Sequence, residues 1–267
     1  MKLSIVISTQ PAKFSALAYK GKLAENIAKI KALGYDGVEL AVRDPKLLDI
    51  AEIESLLAKF ELPVVAIGTG QAYGEEGLSF TSPDEAIRRK AIERIRSQIR
   101  LAERWNSLVI IGLIRGNRRP EADEELTTRW LSEAMQECAA LNPAVRLVIE
   151  PCNRYESNII STVDEGLDFL NTLALPNVGL LLDTFHMNIE EPDIPESIEK
   201  AGSRIFHFHI ADSNRWHPGA GHIDFNAVVD CLTIIGYDGY LSAEILPPPD
   251  SDTAAKKTIE FMRGLMK

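Results

Sequence analysis

The chain has 267 residues, a formal net charge of −10, and 45% hydrophobic and 25% charged residues, the composition of an ordinary globular protein. That acidity argues against a nucleic-acid partner, which needs clustered lysine and arginine, and no apolar stretch approaches the roughly 20 residues that cross a bilayer. Cys138, Cys152 and Cys231 are odd in number and widely spaced, and the apolar run of MKLSIVIST is too short for a signal-peptide core, so a reducing, cytoplasmic setting is expected.

Short apolar runs alternate with longer amphipathic segments along the whole chain. Residues 3–7 read as a strand, and 21–33 as a helix with Leu23, Ile27 and Ile30 at helical spacing. Residues 37–42 follow as a strand, 50–60 as a helix, and 64–67 as a β-branched strand closed by the turn-rich Gly68-Thr69-Gly70. Ser82 as cap, Pro83 at the first helical position and Glu85 as capping-box partner open a helix running to about Trp105. Residues 108–111 form the fourth strand, and the helix 123–141 stops before Asn142-Pro143.

The second half repeats the pattern. Strands are expected at 146–149, 178–182, 205–210 and 240–245, and helices near 163–173, 194–201, 225–235 and 253–266. Thr162 with Glu165, and Asp193 with Glu196, make two further capping boxes. Continuous apolar strands point to a parallel sheet covered on both faces. An open doubly wound sheet would carry a glycine-rich turn after its first strand, where this chain reads Ser8-Thr9-Gln10-Pro11. Eight strand–helix units, within a length typical of the fold, predict an α/β architecture of one (β/α)₈ TIM-barrel domain over residues 1–267. The tetrapeptide Gly-Tyr-Asp-Gly at 34–37 and 236–239 leads into a strand each time, a trace of the barrel repeat.

In such barrels the site lies at the C-terminal ends of the strands. Glu150 ends the fifth expected strand, Asp183 the sixth and Glu244 the eighth, while His209 lies near the end of the seventh. Four such groups on four consecutive strands converge on one side of the barrel mouth. Three carboxylates alone would repel one another, so a cation is expected among them. The donor set suits one divalent ion, Mn²⁺, Co²⁺ or Mg²⁺, better than a thiolate-seeking metal. His207 and His209 are two residues apart, and periodicity does not choose which of them is the ligand.

Five motifs carry a resemblance: Glu150-Pro-Cys-Asn-Arg-Tyr-Glu156, Asp183-Thr-Phe-His186-Met-Asn, His209-Ile-Ala-Asp-Ser-Asn-Arg215, the loop Pro218-Gly-Ala-Gly-His-Ile-Asp224-Phe, and the closing Glu244. Over essentially the whole chain the sequence resembles the xylose-isomerase-like sugar isomerases and epimerases, and among them the D-tagatose 3-epimerase relatives. The resemblance implies that Glu150, Asp183, His209 and Glu244 bind the metal, selecting His209 over His207. It also implies that Glu156, His186 and Arg215 contact substrate oxygens. The stretches 66–73, which includes Gln71, and 111–118, which includes Arg115, resemble instead the 5-keto-L-gluconate epimerases of inositol catabolism, so Gln71 and Arg115 are expected at the substrate as well. Members of the family are often dimers or tetramers, so a homo-oligomer is expected, although no stretch reads as an interface.

The implied chemistry explains a pair of glutamates. Epimerisation beside a ketone removes a proton from one face and returns it on the other, which two opposed carboxylates do better than one. Glu150 and Glu244 are the expected catalytic pair. Arg43, Arg115, Arg118, Arg119, Arg154 and Arg215 follow strands at the catalytic rim, and guanidinium pairs well with carboxylate. The expected substrate is therefore a keto-sugar acid, 5-keto-L-gluconate going to D-tagaturonate. The alternatives are a ketohexose 3-epimerase of the D-tagatose or D-psicose type and an aldose–ketose isomerase such as hydroxypyruvate isomerase. A three-zinc DNA-repair endonuclease on the same fold would need histidines at earlier strand ends, whereas His186, His207, His209, His217 and His222 all fall in the last third. A catalytically dead sugar-binding protein is the non-enzyme reading, against which both glutamates stand. Trp216, Gly219 and Gly221 are expected to shape a loop over the site, and Cys152 to pack. Glu39 stays open between a pocket role and a structural ion pair.

Overall fold

Each of the eight apolar runs forms a strand in the computed structural model, which describes residues 1–266. They are β1 (Lys2–Ser8), β2 (Gly37–Ala41), β3 (Val64–Gly68), β4 (Leu108–Ile111), β5 (Leu147–Ile149), β6 (Val178–Asp183), β7 (Ile205–Ile210) and β8 (Tyr240–Ala243). All neighbours pair in parallel, and β1 pairs with β8 to close the barrel. Closure leaves no exposed edge, apart from the two-residue strand Tyr19–Lys20 laid against the end of β1.

The apolar runs are continuous because both strand faces are covered. Val38, Leu40, Ile67, Val109, Ile111, Leu147, Ile149, Leu180 and Leu182 pack outward into one core with the helices. Ala66, Leu108, Ile110, Val148 and Leu181 form a separate cluster with Val65 and Phe206, built from strands alone, and fill the barrel interior.

Helices lie where the periodicity places them, including Leu23–Leu33, Ile50–Phe60, Glu124–Leu141, Val163–Leu173, Ile194–Ala201, Phe225–Ile234 and Ser251–Leu265. Thr162 and Glu165 complete their reciprocal capping box, and Asp193 caps the Glu196 amide. The start of Glu85–Trp105 differs from expectation: Asp84 is the cap, accepting from the Ala86 amide, while Ser82 caps Asp84 itself. Two cap-type residues within one turn compete, and the one nearer the helix wins. Both Gly-Tyr-Asp-Gly segments close a helix, with Gly34 and Gly236 left-handed at φ 91° and 73°. Helices Gly70–Glu76 and Thr184–Glu190 arise where no apolar period announces them. Among the described residues, no helix is long and apolar enough to cross a membrane.

Candidate active site

The strand ends deliver Glu150, Asp183, His209 and Glu244 to one point. One ligand-capable atom from each lies within 4.8 Å of the others. Glu150 follows β5, whose last paired residue is Ile149, and Glu244 follows β8. Strands β6 and β7 lie between those two, so the glutamates enter from well-separated points of the rim. Gly112 permits the approach of Glu150, because a Cβ there would stand 2.6 Å from Glu150 Oε2.

A cation fits this quartet. Asp183 Oδ2 and His209 Nδ1 are both buried with no hydrogen-bond partner, a placement that is costly unless something bonds them. Without a cation, burial raises the Glu150 pKa, His209 opposes, and Glu244 and Asp183 raise it further, for a net upward shift. Burial likewise raises Glu244, against the downward pull of Arg215 and His209. Burial would lower His209, but Glu39 outweighs it and pushes the imidazole up to about 10. The bare site thus supplies its own positive charge as a protonated imidazole, which a divalent ion would replace with release of protons. Three carboxylates and one imidazole suit a hard or borderline divalent ion.

The quartet opens into a cavity of about 410 Å³, within the usual range for small-molecule sites. Glu156, His186, Arg215 and Gln71 all line it, together with Val6, Leu17 and Ala41 on an apolar wall. Arg215 donates to Glu156 Oε1 at 2.5 Å and to Glu244 Oε2 at 2.8 Å. Its guanidinium stacks on the rings of Phe185 and Phe14, and its backbone is left-handed at φ 60°. Asn153, which the sequence did not single out, donates through its side chain and its backbone to His186 Nδ1 at 2.7 and 3.3 Å. Nδ1 therefore carries no proton. Burial, with Arg215 and Arg115 nearby, holds the imidazole well below its usual pKa. His186 is then a neutral Nε2–H donor, 3.8 Å from Glu150 and 3.9 Å from Asp183. Gln71 donates Nε2 to Ser8 Oγ at 2.7 Å and leaves a buried, unpartnered Oε1.

Two expectations are corrected here. Arg115 is fully buried and does not line the cavity. It bonds the carbonyls of Gly112, Ile159 and Ile160 and the sulfur of Cys152. It braces the loop after β5 instead of meeting a substrate. The other rim arginines are also engaged: Arg43 with Glu76 at 3.7 Å, Arg118 with Glu124 at 2.9 Å, and Arg154 with Glu190 at 2.8 Å. Arg119 is exposed and outside the cavity lining. Among the described residues, Arg215 is the one arginine at the cavity wall, and Lys13, also there, lies 3.8 Å from Glu75. Every lysine or arginine facing the cavity already pairs with a carboxylate, so none is left free for an acid substrate.

His207 and His209, two residues apart on β7 and so on one face of it, both turn inward. Glu39 accepts a hydrogen bond from each, so its ion pairs are with histidines. Cys152 is buried at the cavity wall, its thiol pushed above its usual pKa by burial. Trp216, Gly219 and Gly221 lie on the loop after β7, tied down by Asp212, which accepts from the amides of Ser213, Gly219 and Ile223.

The family model described as xylose isomerase-like TIM barrel matches residues 27–265. An L-ribulose 3-epimerase of Methylomonas sp. is 33% identical over 264 residues, covering 89% of this chain and 89% of that protein. An L-ribulose 3-epimerase of Mesorhizobium japonicum is 31% identical over 256 residues, covering 94% and 85%. Among solved structures, a D-allulose 3-epimerase from Methylomonas sp. in complex with D-allulose superposes with a TM-score of 0.83 at 29% identity, covering 98% of this chain and 97% of that one.

Proposed function

The chain belongs to the xylose isomerase-like TIM barrel family, and from that premise we propose that it is a divalent-metal-dependent ketose 3-epimerase acting on neutral keto-sugars. One observation carries the reading: two glutamates from separated strands, Glu150 and Glu244, flank a pair of unpartnered buried ligand atoms at the floor of a sugar-sized cavity. The relatives named as L-ribulose 3-epimerases support the ketose, and the pairing of every cavity-facing cation supports a neutral one.

Glu150, Asp183, His209 and Glu244 would hold the ion. When bound, it supplies Lewis-acid stabilisation of the charge that develops on the ketone oxygen as the neighbouring C–H bond breaks, a contribution of several kcal/mol. One glutamate takes the C3 proton from its face of the sugar and the other returns a proton to the opposite face. The reverse reaction exchanges their roles. Each positioned base contributes roughly 10²–10⁴ in rate. His186 donates its Nε2 proton to a substrate oxygen, and Arg215 does so with its guanidinium while fixing Glu156 as an acceptor. Gln71 Oε1 accepts from a hydroxyl at the far end. The apolar wall and the brace behind Arg115 keep competing water and loop motion away from the exposed carbanionic carbon.

The test is a reaction in D₂O with added Mn²⁺, read by NMR, on L-ribulose, D-psicose, D-tagatose and D-fructose alongside 5-keto-L-gluconate and D-tagaturonate. Deuterium at the inverted carbon with the ketone unmoved, and higher kcat/KM for a neutral ketose, is the expected result. A carbonyl that moves along the chain would make the protein an aldose–ketose isomerase. An acid turned over better than every neutral ketose would overturn the substrate assignment.

A further inference from the structure

Glu39 has no part in the proton transfers, yet it is 1% exposed and sits beneath the quartet. Its two oxygens accept from His209 Nε2 at 3.1 and 3.0 Å, and one of them also accepts from His207 Nε2 at 2.8 Å. At the opposite edge of the same ring, His209 Nδ1 has no partner and points toward Glu150 Oε1 at 3.8 Å.

The backbone is shaped to make this contact. Pairing of β6 with β7 steps from Ile205 to His207, leaving Phe206 as an extra residue. Phe206 packs into the strand-only cluster of the barrel interior. Strict alternation from an inward Phe206 would turn His207 and His209 outward toward the helices. The bulge resets the alternation and keeps both inside. Gly179 makes the room, since a Cβ there would lie 2.5 Å from the Phe206 ring. The β2–β3 ladder repeats the device beside Glu39: Val65 is the extra residue, and a Cβ on Gly37 would lie 2.7 Å from its Cγ1.

We propose that Glu39 is a positioning residue of the metal centre, fixing the His209 proton on Nε2 so that Nδ1 is presented as the ligand. His207 is the second donor that keeps the Glu39 carboxylate from rotating away. Histidine ligands whose far nitrogen is held by a carboxylate lose roughly 10–100-fold in metal affinity when that partner is removed. This inference rests on the metal-dependent reading above and extends it to a residue outside the quartet.

The experiment measures Mn²⁺ binding to the chelator-stripped full chain by the loss of the free-ion EPR signal, for wild type and Glu39→Gln. A Gln side chain keeps the shape but can present its NH₂ to Nε2, which favours the wrong tautomer. The expected result is a 10–100-fold weaker affinity in Glu39→Gln and an altered Co²⁺ visible absorption spectrum, which a purely structural role would not change. Wild-type protein with ¹⁵N-labelled histidine and Mg²⁺ gives a second measurement that needs no variant to fold: its His209 proton should reside on Nε2. Wild-type affinity and spectrum in Glu39→Gln, or a His209 proton on Nδ1, overturns the inference while leaving the metal site intact. Wild type that binds no divalent ion overturns both.

Discussion

Arg215 donates to Glu244 at 2.8 Å, while among the described residues no lysine or arginine forms an ion pair with Glu150. The two glutamates proposed as the catalytic pair are therefore electrostatically unequal. Glu244→Gln also unsettles the guanidinium proposed to contact substrate, so it should raise KM as well as lower kcat. Glu150→Gln should lower kcat by roughly 10²–10⁴ with a smaller change in KM. Each variant keeps one base, and that base can still exchange a proton with solvent on its own face. In D₂O the two variants should each label one C3 epimer, opposite ones, without inverting it. Labelling of the same epimer by both would contradict the two-face assignment.

Metal removal gives a second prediction. Stripped protein should lose activity, and Mn²⁺ at 100 times its Kd should add about 2.7 kcal/mol of stability. For a chain of this length that corresponds to a Tm rise of about 5–10 °C, readable by calorimetry. Asp183→Asn should shrink that rise while leaving the metal-free Tm near wild type, whereas His209→Ala should shrink it and also lower the metal-free Tm, because it takes a partner from the buried Glu39. An unchanged Tm on adding Mn²⁺ to wild type would count against the quartet as a cation site.

The barrel and its quartet were legible because both follow from position along the chain. Apolar runs ended by a polar residue mark strand ends, and strand ends converge in a closed barrel. What the sequence hid depends on registers and long side chains. The bulge at Val65 sits inside a run that is apolar on both faces, so no alternation was there to be interrupted, and the one at Phe206 decides which face His207 and His209 share, which their spacing alone does not. Glu39 was undecided because its two histidine partners lie across the barrel, 168 and 170 residues along the chain. The arginines misled because a guanidinium's partner is set by tertiary contact. Arg154 finds Glu190 and Arg215 finds Glu156, each far along the chain. Asn153 lies inside the Glu150–Glu156 motif, but nothing local ties it to His186, 33 residues along the chain.

Arg115 yields a stability prediction. Its guanidinium satisfies three backbone carbonyls in the interior, two of them on the loop that also carries Asn153 and Glu156. Arg115→Met fills much of the volume but removes the charged donor shared by those oxygens, which keep one partner each in the Arg115 amide, the Ser157 hydroxyl and the Cys152 amide, at a cost of about 2–5 kcal/mol. Urea denaturation should report that loss. The variant's kcat/KM should fall by a similar factor for neutral and acidic sugars. A selective loss with acids would restore Arg115 as a substrate contact.

Asp212 sets the pH response of the loop that carries Arg215. Its carboxylate is fully buried and accepts from the amides of Ser213, Gly219 and Ile223 at 2.8, 2.8 and 3.2 Å. Burial acts to raise its pKa, but the backbone donors outweigh it and hold the group below the usual aspartate value. A depressed folded pKa means the stabilisation is complete above the unfolded value of about 3.9 and is lost as pH falls through the lower folded value. Asp212→Asn keeps one acceptor oxygen and loses the charge, which should lower stability by about 1–3 kcal/mol at pH 7. The gap between wild type and variant should stay constant from pH 7 to about 5 and close progressively below about 4. Denaturant melts at stepped pH measure it directly. A gap unchanged down to pH 3 would show that the carboxylate charge does not anchor this loop.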